Sequence, residues 1–537
     1  MTQQRTPIGT IIQGSLNEGL VMRINSGTSL ESLKTGKFVS IIGHEYTFFS
    51  MITDLTLAVT NQEVVLYPPR EQDKLLQEIV REKCMYATAQ LRPLIMLDKA
   101  HRINPVKTIP HHFSPVFDAT EQDICHIFGD EKDLSRSYFT IGKPLDMQTP
   151  VCINLEHLSE RSVGIFGKTG TGKTFITRLV LAGLIHSKKA VNLIFDMHSE
   201  YGLQARKEGS HLNFVKGLKT LFPDKVAIFS IDPASTRRRG ASADVELTFN
   251  YQDIQVEDII SLGEELNLHT TALEAAYLIA ARYKKDWLQA LLEQDDVKTF
   301  ATNLGAHPES VAALYRKLKR IERFSFFKPI QAGTMPAASS VIDQMMEYLD
   351  KGINVCVEFG NYTSSFCYLL IANIITRRIH SEYITKTEKF LGSQRKEDEP
   401  IKLIITIEEA HKFLNPIAAR QTIFGTIARE MRKYYVSLLV VDQRPSGIDP
   451  EIISQLGTKI VAQLNDEKDI QTVMTGISNA HTLRGILASL DTKKQVLVMG
   501  HAVTIPVVVQ TREYDEVFYK DMSSNTKPID ELIKELF

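Results

Sequence analysis

Short apolar runs separated by turn residues occupy about the first 70 residues of the chain. These runs lie at residues 8–13, 18–24, 37–42, 45–53 and 63–66. Several short strands at such spacing are typical of a small barrel. Residues 71–96 show partly helical spacing and also fit a further strand pair. The pattern therefore predicts an N-terminal β-barrel and leaves 71–96 open.

From residue 162 onward, continuous apolar runs alternate with helical periodicity. The runs lie at 162–166, 190–196, 225–231, 354–359, 401–409, 436–441 and 459–464. Runs of this kind are expected of strands buried on both faces of a parallel sheet. The segment 175–186 after the first run repeats apolar residues at helical spacing. The alternation predicts an α/β core.

The remaining segments extend this core. Residues 256–346 have a helical pattern and are interpreted as an insertion between core strands, while 495–500 and 503–509 are expected to form a closing hairpin. A short amphipathic helix is predicted to end the tail. The predicted domains are a barrel with linker (1–145), a first core part (146–255), the helical insertion (256–350), a second core part (351–510) and a C-terminal tail (511–537).

Composition narrows the possible partners. The chain has 537 residues, 43% hydrophobic and 23% charged, with a net charge of −2. There is no global attraction to nucleic acid, so any DNA contact must come from a local patch or a pore. Five cysteines without a C-x-x-C pair fit a reducing compartment. With no apolar run of 18 residues and no signal-peptide pattern, we expect a cytoplasmic protein that does not enter a membrane.

One glycine-rich stretch carries the clearest chemistry. It reads G-x-x-x-x-G-K-T and consists of Gly167, Lys168, Thr169, Gly170, Thr171, Gly172, Lys173 and Thr174. A strand before it and a helix after it form the context of a phosphate-binding P-loop. Backbone N–H groups and the helix N-terminus would hold the anion. Lys173 is expected to reach the β- and γ-phosphates of ATP, and Thr174 to bind Mg²⁺.

A second apolar strand ends in two carboxylates, Glu408 and Glu409. A P-loop needs such a partner, because one acid orders the Mg²⁺ shell and another activates water. We assign Glu408 to the magnesium shell and Glu409 as the base, although Glu replaces the Asp that usually comes first. Asp196, at the tip of an adjacent strand, is expected to contribute to the same nucleotide pocket.

Further polar side chains follow the next strand. Gln443 at the tip of 436–441 is predicted to sense the γ-phosphate. Arg429 and Arg432, on a helix over 423–433, are candidates for an arginine finger acting in a neighbouring subunit, and surface ion pairs are the alternative for each. The basic run at 235–240 is either a solvated loop or a phosphate-contacting one.

Five motifs together resemble the HerA-like ATPases of the HerA/FtsK branch of P-loop proteins. They are the P-loop at 167–174, Asp-Met-His-Ser-Glu-Tyr at 196–201, Glu-Glu-Ala-His at 408–411, Ala-Arg-Glu-Met-Arg-Lys-Tyr at 428–434 and Gln-Arg-Pro-Ser at 443–446. Ser199 and Met431 replace the family's usual glycines. The resemblance covers nearly the whole chain and implies a RecA-like P-loop core behind a small β-barrel.

The same resemblance implies an assembly and partners. It predicts a homo-oligomer, a hexameric ring with ATP sites between subunits and DNA through its pore. It also predicts a NurA-like nuclease, or a defence effector, on the barrel face, for DNA end processing or antiviral defence. Two other functions stay open: a ring-shaped scaffold that assembles an effector enzyme, and an ATPase that handles proteins or drives secretion.

Overall fold

The structure is a computed structural model that describes residues 5–60, 66, 80, 84–133, 137–145, 147–206, 214–329, 337–477, 480–488, 490 and 494–523. Its strands are β1 (Gly9–Ser15), β2 (Gly19–Ile24), β3 (Phe38–Ile42), β4 (Thr47–Val59), β5 (Met85–Leu97), β6 (Ile103–Asn104), β7 (Pro115–Asp118), β8 (Tyr138–Pro144), β9 (Val151–Asn154), β10 (Val163–Phe166), β11 (Val191–Asp196), β12 (Ala205–Arg206), β13 (Phe214–Val215), β14 (Val226–Ser230), β15 (Val245–Glu246), β16 (Phe249–Asn250), β17 (Phe327–Lys328), β18 (Asn354–Glu358), β19 (Leu403–Glu408), β20 (Val436–Asp442), β21 (Thr458–Val461), β22 (Gln495–Gly500) and β23 (Val507–Thr511).

Its α-helices are α1 (Glu121–Phe128), α2 (Leu155–Ser159), α3 (Lys173–Ser187), α4 (Leu218–Leu221), α5 (Pro233–Arg238), α6 (Val256–Ile260), α7 (Thr270–Tyr283), α8 (Trp287–Leu292), α9 (Val297–Asn303), α10 (Pro308–Leu318), α11 (Ala337–Asp350), α12 (Ser365–Ser393), α13 (His411–Leu414), α14 (Ala418–Gln421), α15 (Ile423–Glu430), α16 (Pro450–Gln455), α17 (Glu467–Val473), α18 (Ala480–Ala488) and α19 (Glu516–Ser523). The chain divides into two compact units, 1–154 with 477–512 and 155–476 with 513–537.

The first unit contains the predicted barrel. Its strands follow the order β2-β1-β7-β3-β4-β5, and β5 pairs back to β2, which closes the sheet. Alternate side chains fill the interior, including Ile11, Met22, Ile41, Ile52 and Leu91. Within the same unit, β22, β23, β8 and β9 form antiparallel pairs. The barrel prediction is confirmed.

The second unit contains a parallel sheet in the order β15-β14-β18-β11-β19-β20-β10-β21. Its central strands are buried along their whole length, as their continuous apolar runs predicted. Four neighbouring strands end in an acid at the same edge: Glu358, Asp196, Glu408 and Asp442. The predicted α/β P-loop core is confirmed, and helices α6 to α11 lie between its strands β15 and β18 in the chain.

Several local expectations differ from the structure. Residues 85–97 form β5, so the second half of 71–96, for which the sequence left both a helix and a strand pair open, is a strand. Pro233 to Arg238 form helix α5, where a basic loop was expected, because Asp232 accepts a hydrogen bond from the Ser235 N–H and Pro233 suits a first helical turn. Residues 63–65 of the expected strand, most of 71–83 and the tail helix lie outside the described residues.

The second strand of the predicted hairpin at 503–509 begins later, at Val507. Residues 501–505 form the turn instead, and the Val503 N–H donates to Gly500 O at 3.3 Å. Pro506 precedes the strand and has no N–H to contribute to a ladder. The hairpin itself is confirmed by the antiparallel pairing of β22 with β23.

Candidate functional site

The P-loop connects β10 to α3 at the acidic edge of the parallel sheet. Gly170 and Gly172 adopt φ values of 80° and 89°, which side chains with a Cβ rarely tolerate. The Gly167 N–H donates to Asp442 O at 3.4 Å, and the Lys168 N–H donates to Gln463 O at 3.1 Å. The loop is therefore held by the ends of both neighbouring strands, with its N–H groups beside the N-terminus of α3.

The charged side chains of the loop have defined partners. Lys173 Nζ donates to Lys168 O at 3.0 Å, which keeps the ammonium against the loop backbone. Lys168 Nζ lies 3.4 Å from Asn465 Oδ1. Thr171 Oγ1 donates to Lys168 O at 2.8 Å. The loop is thus ordered by its own side chains, and an ammonium is in place to meet an anion.

Gln443 joins the P-loop to the predicted base. Thr169 Oγ1 donates to Gln443 Oε1 at 2.6 Å, and Gln443 Nε2 donates to Glu409 Oε1 at 3.4 Å. Glu409 has a φ of 48°, an unusual value for a residue with a Cβ, at the turn that follows β19. Strained backbone of this kind is frequent at functional sites. The three side chains therefore form a continuous hydrogen-bonded connection from phosphate loop to carboxylate.

Glu408 is buried, with 8% of its surface exposed. Its Oε1 accepts a hydrogen bond from Tyr201 Oη at 2.6 Å, and its backbone N–H donates to Tyr368 Oη at 3.1 Å. Burial is the main cause that raises the pKa of Glu408 to about 8, and the carboxylates of Asp196 and Glu200 add to it. Its Oε2 is buried without a partner among the described residues. An orphaned carboxylate oxygen beside further acids fits a proton or a divalent cation.

Asp196 shapes the loop that follows β11. Its Oδ1 accepts from the Glu200 N–H at 2.7 Å, and its Oδ2 accepts from the Tyr201 and Gly202 N–H groups, each at 2.9 Å. Burial raises the pKa of this carboxyl, while the three amides oppose the shift. Its membership of the nucleotide pocket stays a prediction, since these contacts are with its own loop.

Sequence reasoning gave no role to Glu200 or Tyr201. Thr174 Oγ1, the predicted magnesium ligand, donates to Glu200 Oε2 at 2.7 Å. Both residues follow Asp196 in Asp-x-x-x-Glu-Tyr, and this spacing was the available signal. The hydrogen-bond partners of Glu200 and Tyr201 depend on how this loop folds back over the edge of the sheet. The spacing of residues in the sequence does not predict that fold.

A histidine and an aspartate connect β20 with the turn after β19. Asp442 Oδ2 accepts from the His411 N–H at 2.7 Å and lies 3.0 Å from His411 Nδ1. The hydrogen bond to Asp442 is the main cause that raises the pKa of His411. This pair holds the backbone just after Glu409 against the backbone just before Gln443.

The two candidate finger arginines occupy different environments. Arg429 donates to Ala419 O at 2.8 Å and to Glu451 Oε2 at 3.3 Å, so its guanidinium has partners within its own chain. Arg432 is exposed, and its side chain makes no hydrogen bond or ion pair with the described residues. It lies just before β20 begins, at the edge of the sheet opposite the P-loop.

The basic run has a partner at the acidic edge. Arg239 donates to the buried carboxylate of Glu358, at the tip of β18. Burial is the main cause that raises the pKa of Glu358 to about 7, and Arg239 opposes the shift. Arg239 thus belongs to an internal ion pair rather than to a fully solvated loop.

Comparisons with known proteins show which proteins this chain is similar to. A family model described as the central domain of helicase HerA matches residues 139–379. The DNA double-strand break repair helicase HerA of Sulfurisphaera tokodaii is 23% identical over 447 residues, covering 80% of this chain and 79% of its own. The protein of the same name from Sulfolobus acidocaldarius is 25% identical over 411 residues, 75% and 73% of the two chains.

Among solved structures, the bacterial conjugative coupling protein TrwB matches with a TM-score of 0.45 and 11% identity, covering 68% of this chain and 87% of its own. No helix among the described residues has both the length and the apolar character that a membrane span requires. The family model, the helicase relatives and the P-loop geometry together show that the chain is similar to the HerA-like ATPases.

Proposed function

We propose that this ATPase drives DNA translocation as a homo-oligomeric ring, a hexamer with DNA in its pore. The observation that carries the proposal is the connection Thr169–Gln443–Glu409, which couples the phosphate-binding loop to a carboxylate positioned as a base. Relatives named as DNA double-strand break repair helicases support DNA as the track. An effector enzyme, a NurA-like nuclease being the leading candidate, would dock on the N-terminal barrel for DNA end processing or antiviral defence.

The arrangement gives each side chain of the site a separate role in ATP hydrolysis. The P-loop amides and Lys173 bind the triphosphate, and Glu409 accepts a proton from the attacking water. Gln443 reports on the γ-phosphate through Thr169 and orients Glu409. Thr174 and Glu408 would hold Mg²⁺, which neutralises charge that develops on the phosphates.

The remaining positive charge comes from a neighbouring subunit. Arg432 is free within the described part of its own chain, exposed, and on the sheet edge opposite its own P-loop. Arg429 already binds Ala419 and Glu451. We therefore assign Arg432 as the finger and Arg429 as a residue that holds helix α15 in place.

Two variants test the hydrolytic site. Lys173→Ala removes the ammonium and should abolish ATP turnover, with strongly weakened ATP binding. Glu409→Gln keeps the shape but removes the base, so turnover should fall by about 10²–10⁴-fold while ATP binding is retained. Glu397→Gln, in an exposed segment, is the matched control. Substantial turnover in Lys173→Ala, or unchanged turnover in Glu409→Gln, would contradict the assignment.

A further inference from the structure

The loop after β11 presents an acid to the P-loop threonine. Glu200 is half-buried, and its Oε2 accepts the hydrogen bond from Thr174 Oγ1 at 2.7 Å. Among the described residues the Glu200 side chain has no other hydrogen bond and no ion pair. A carboxylate thus lies against the hydroxyl that is expected to face Mg²⁺ when ATP is bound.

The position of Glu200 is fixed by its backbone. Its N–H donates to Asp196, and its carbonyl accepts a hydrogen bond from the Arg178 guanidinium on helix α3. Arg178 in turn lies over the ring of Tyr514, 5.5 Å from the centroid. Helix α3 carries both Thr174 and Arg178, so the same helix holds the backbone and the side chain of Glu200.

Several carboxylates lie in the region around Thr174. The carboxylates of Glu200, Asp196 and Glu408 lie near one another, since the Glu200 N–H binds Asp196 and Tyr201, the next residue, binds Glu408. Arrival of a triphosphate at the adjacent loop adds further negative charge. Lys173 offsets part of the charge of the triphosphate, and a divalent cation would offset the repulsion between the phosphates and the Glu200 carboxylate, which has no basic partner among the described residues.

A second observation points to a bound cation. Glu408 Oε2 is buried and unpartnered, while Oε1 of the same carboxylate binds the hydroxyl of Tyr201, the residue next to Glu200. Mg²⁺ is commonly bound by one or two carboxylates together with substrate phosphates and waters, so this single carboxylate oxygen can serve as one of its ligands.

We propose that Glu200 is a positioning residue of the magnesium shell, which acts through Thr174 and through the shell's waters. It complements Glu408 and sets how much Mg²⁺ strengthens the binding of the nucleotide. The inference rests on the proposed ATP site and adds a third protein group to it. Neither Thr174 nor Glu408 alone explains why a carboxylate is held against the P-loop hydroxyl.

The test compares nucleotide affinity with and without the metal in the full-length protein. A fluorescent ATP analogue is titrated in EDTA and in excess Mg²⁺, for wild type and for Glu200→Gln. The amide keeps an acceptor for Thr174, so affinity in EDTA should stay within about twofold of wild type. The gain in affinity on adding Mg²⁺ should fall by about 10–100-fold, as for other residues that support metal shells.

Two further variants control the result. Glu347→Gln neutralises an exposed acid on helix α11 and should keep the full magnesium gain. Glu200→Asp keeps the charge on a shorter side chain and should recover part of the gain. Binding of Mn²⁺ to wild type and to the same variants, measured by electron paramagnetic resonance with ADP present, should give the same order of metal affinities. This measurement requires no ATP turnover.

The outcomes separate the two hypotheses. If wild type binds no ATP in either condition, the proposed function is wrong. If wild type shows a magnesium gain that Glu200→Gln keeps in full, the role of Glu200 is wrong. A variant that loses affinity equally in EDTA and in Mg²⁺ also overturns it, because the residue would then shape the loop and not the metal shell.

Discussion

At the scale of residues, the site depends on side chains that bind one another across strand ends. Gln443 accepts from Thr169 and donates to Glu409, so a single amide joins the loop to the proposed base. Motif spacing predicted Gln443 and Glu409, since both follow apolar strands. It could not predict Glu200 or Tyr201, because their partners lie 26 and 207 positions away in the chain.

Removing the hydroxyl of Tyr201 tests the environment of Glu408. In Tyr201→Phe the buried carboxylate loses the donor to its Oε1, so the free energy of unfolding should fall by about 1–3 kcal/mol. Denaturant unfolding of the full-length protein measures this difference. Tyr277→Phe removes a hydroxyl from an exposed ring and should change it little. Equal stability of the two variants would contradict the proposed contact.

At the scale of elements, continuous apolar runs predicted the buried strands well. Strand β19 covers 403–408 within the predicted 401–409, and α3 covers 173–187 around the predicted 175–186. Because these strands are buried on both faces of the sheet, nearly all of their residues have to be apolar, and a continuous apolar run is easy to recognise in a sequence. Helix α5 was missed because three arginines outweighed the capping signal of Asp232 and Pro233. The environment of Arg239 was also missed, since its partner Glu358 lies on a distant strand.

The contact between helices α14 and α15 yields a second prediction. A Cβ on Gly425 would lie 1.8 Å from Ala419 O, a backbone atom that cannot move independently. Gly425→Ala should therefore destabilise the core by about 1–3 kcal/mol or more, measured as a lower melting temperature. Gly392→Ala, on helix α12, meets no atom within 4 Å and should be neutral or slightly stabilising. A neutral Gly425→Ala would show that these helices are not packed this closely.

Mixing two inactive variants tests the position of the finger. Lys173→Ala lacks a working P-loop and Arg432→Ala lacks the proposed finger, so each alone should turn over ATP at least about 10³-fold more slowly. Mixed rings should regain activity where an intact P-loop meets an intact Arg432 of the Lys173→Ala subunit. Arg429→Ala should lower the melting temperature and give no such complementation. Absence of recovery in confirmed mixed rings would contradict a finger acting in trans.

At the scale of the whole molecule, the barrel and the P-loop core were both predictable. Short apolar runs between turn residues indicated the barrel, and continuous apolar runs that alternate with helical periodicity indicated the core. The ring assembly is a proposal: Arg432, the proposed finger, lies at the end of the sheet opposite the P-loop of its own chain, so it would have to act in a neighbouring subunit. With a net charge of −2, the chain needs a local cluster of cations to bind DNA, such as the lining of the proposed pore. Binding of this kind should weaken by tenfold or more as salt rises from about 50 to 200 mM.

The most direct test of DNA translocation is ATP-dependent displacement of a third strand from triplex DNA, with ATP hydrolysis measured in the same reaction. We expect duplex DNA to stimulate hydrolysis, and the wild-type protein to release the third strand only with ATP. Glu409→Gln should bind the DNA without releasing the strand. DNA translocation would be contradicted if duplex DNA did not stimulate ATP hydrolysis, only a polypeptide did, and no third strand was released.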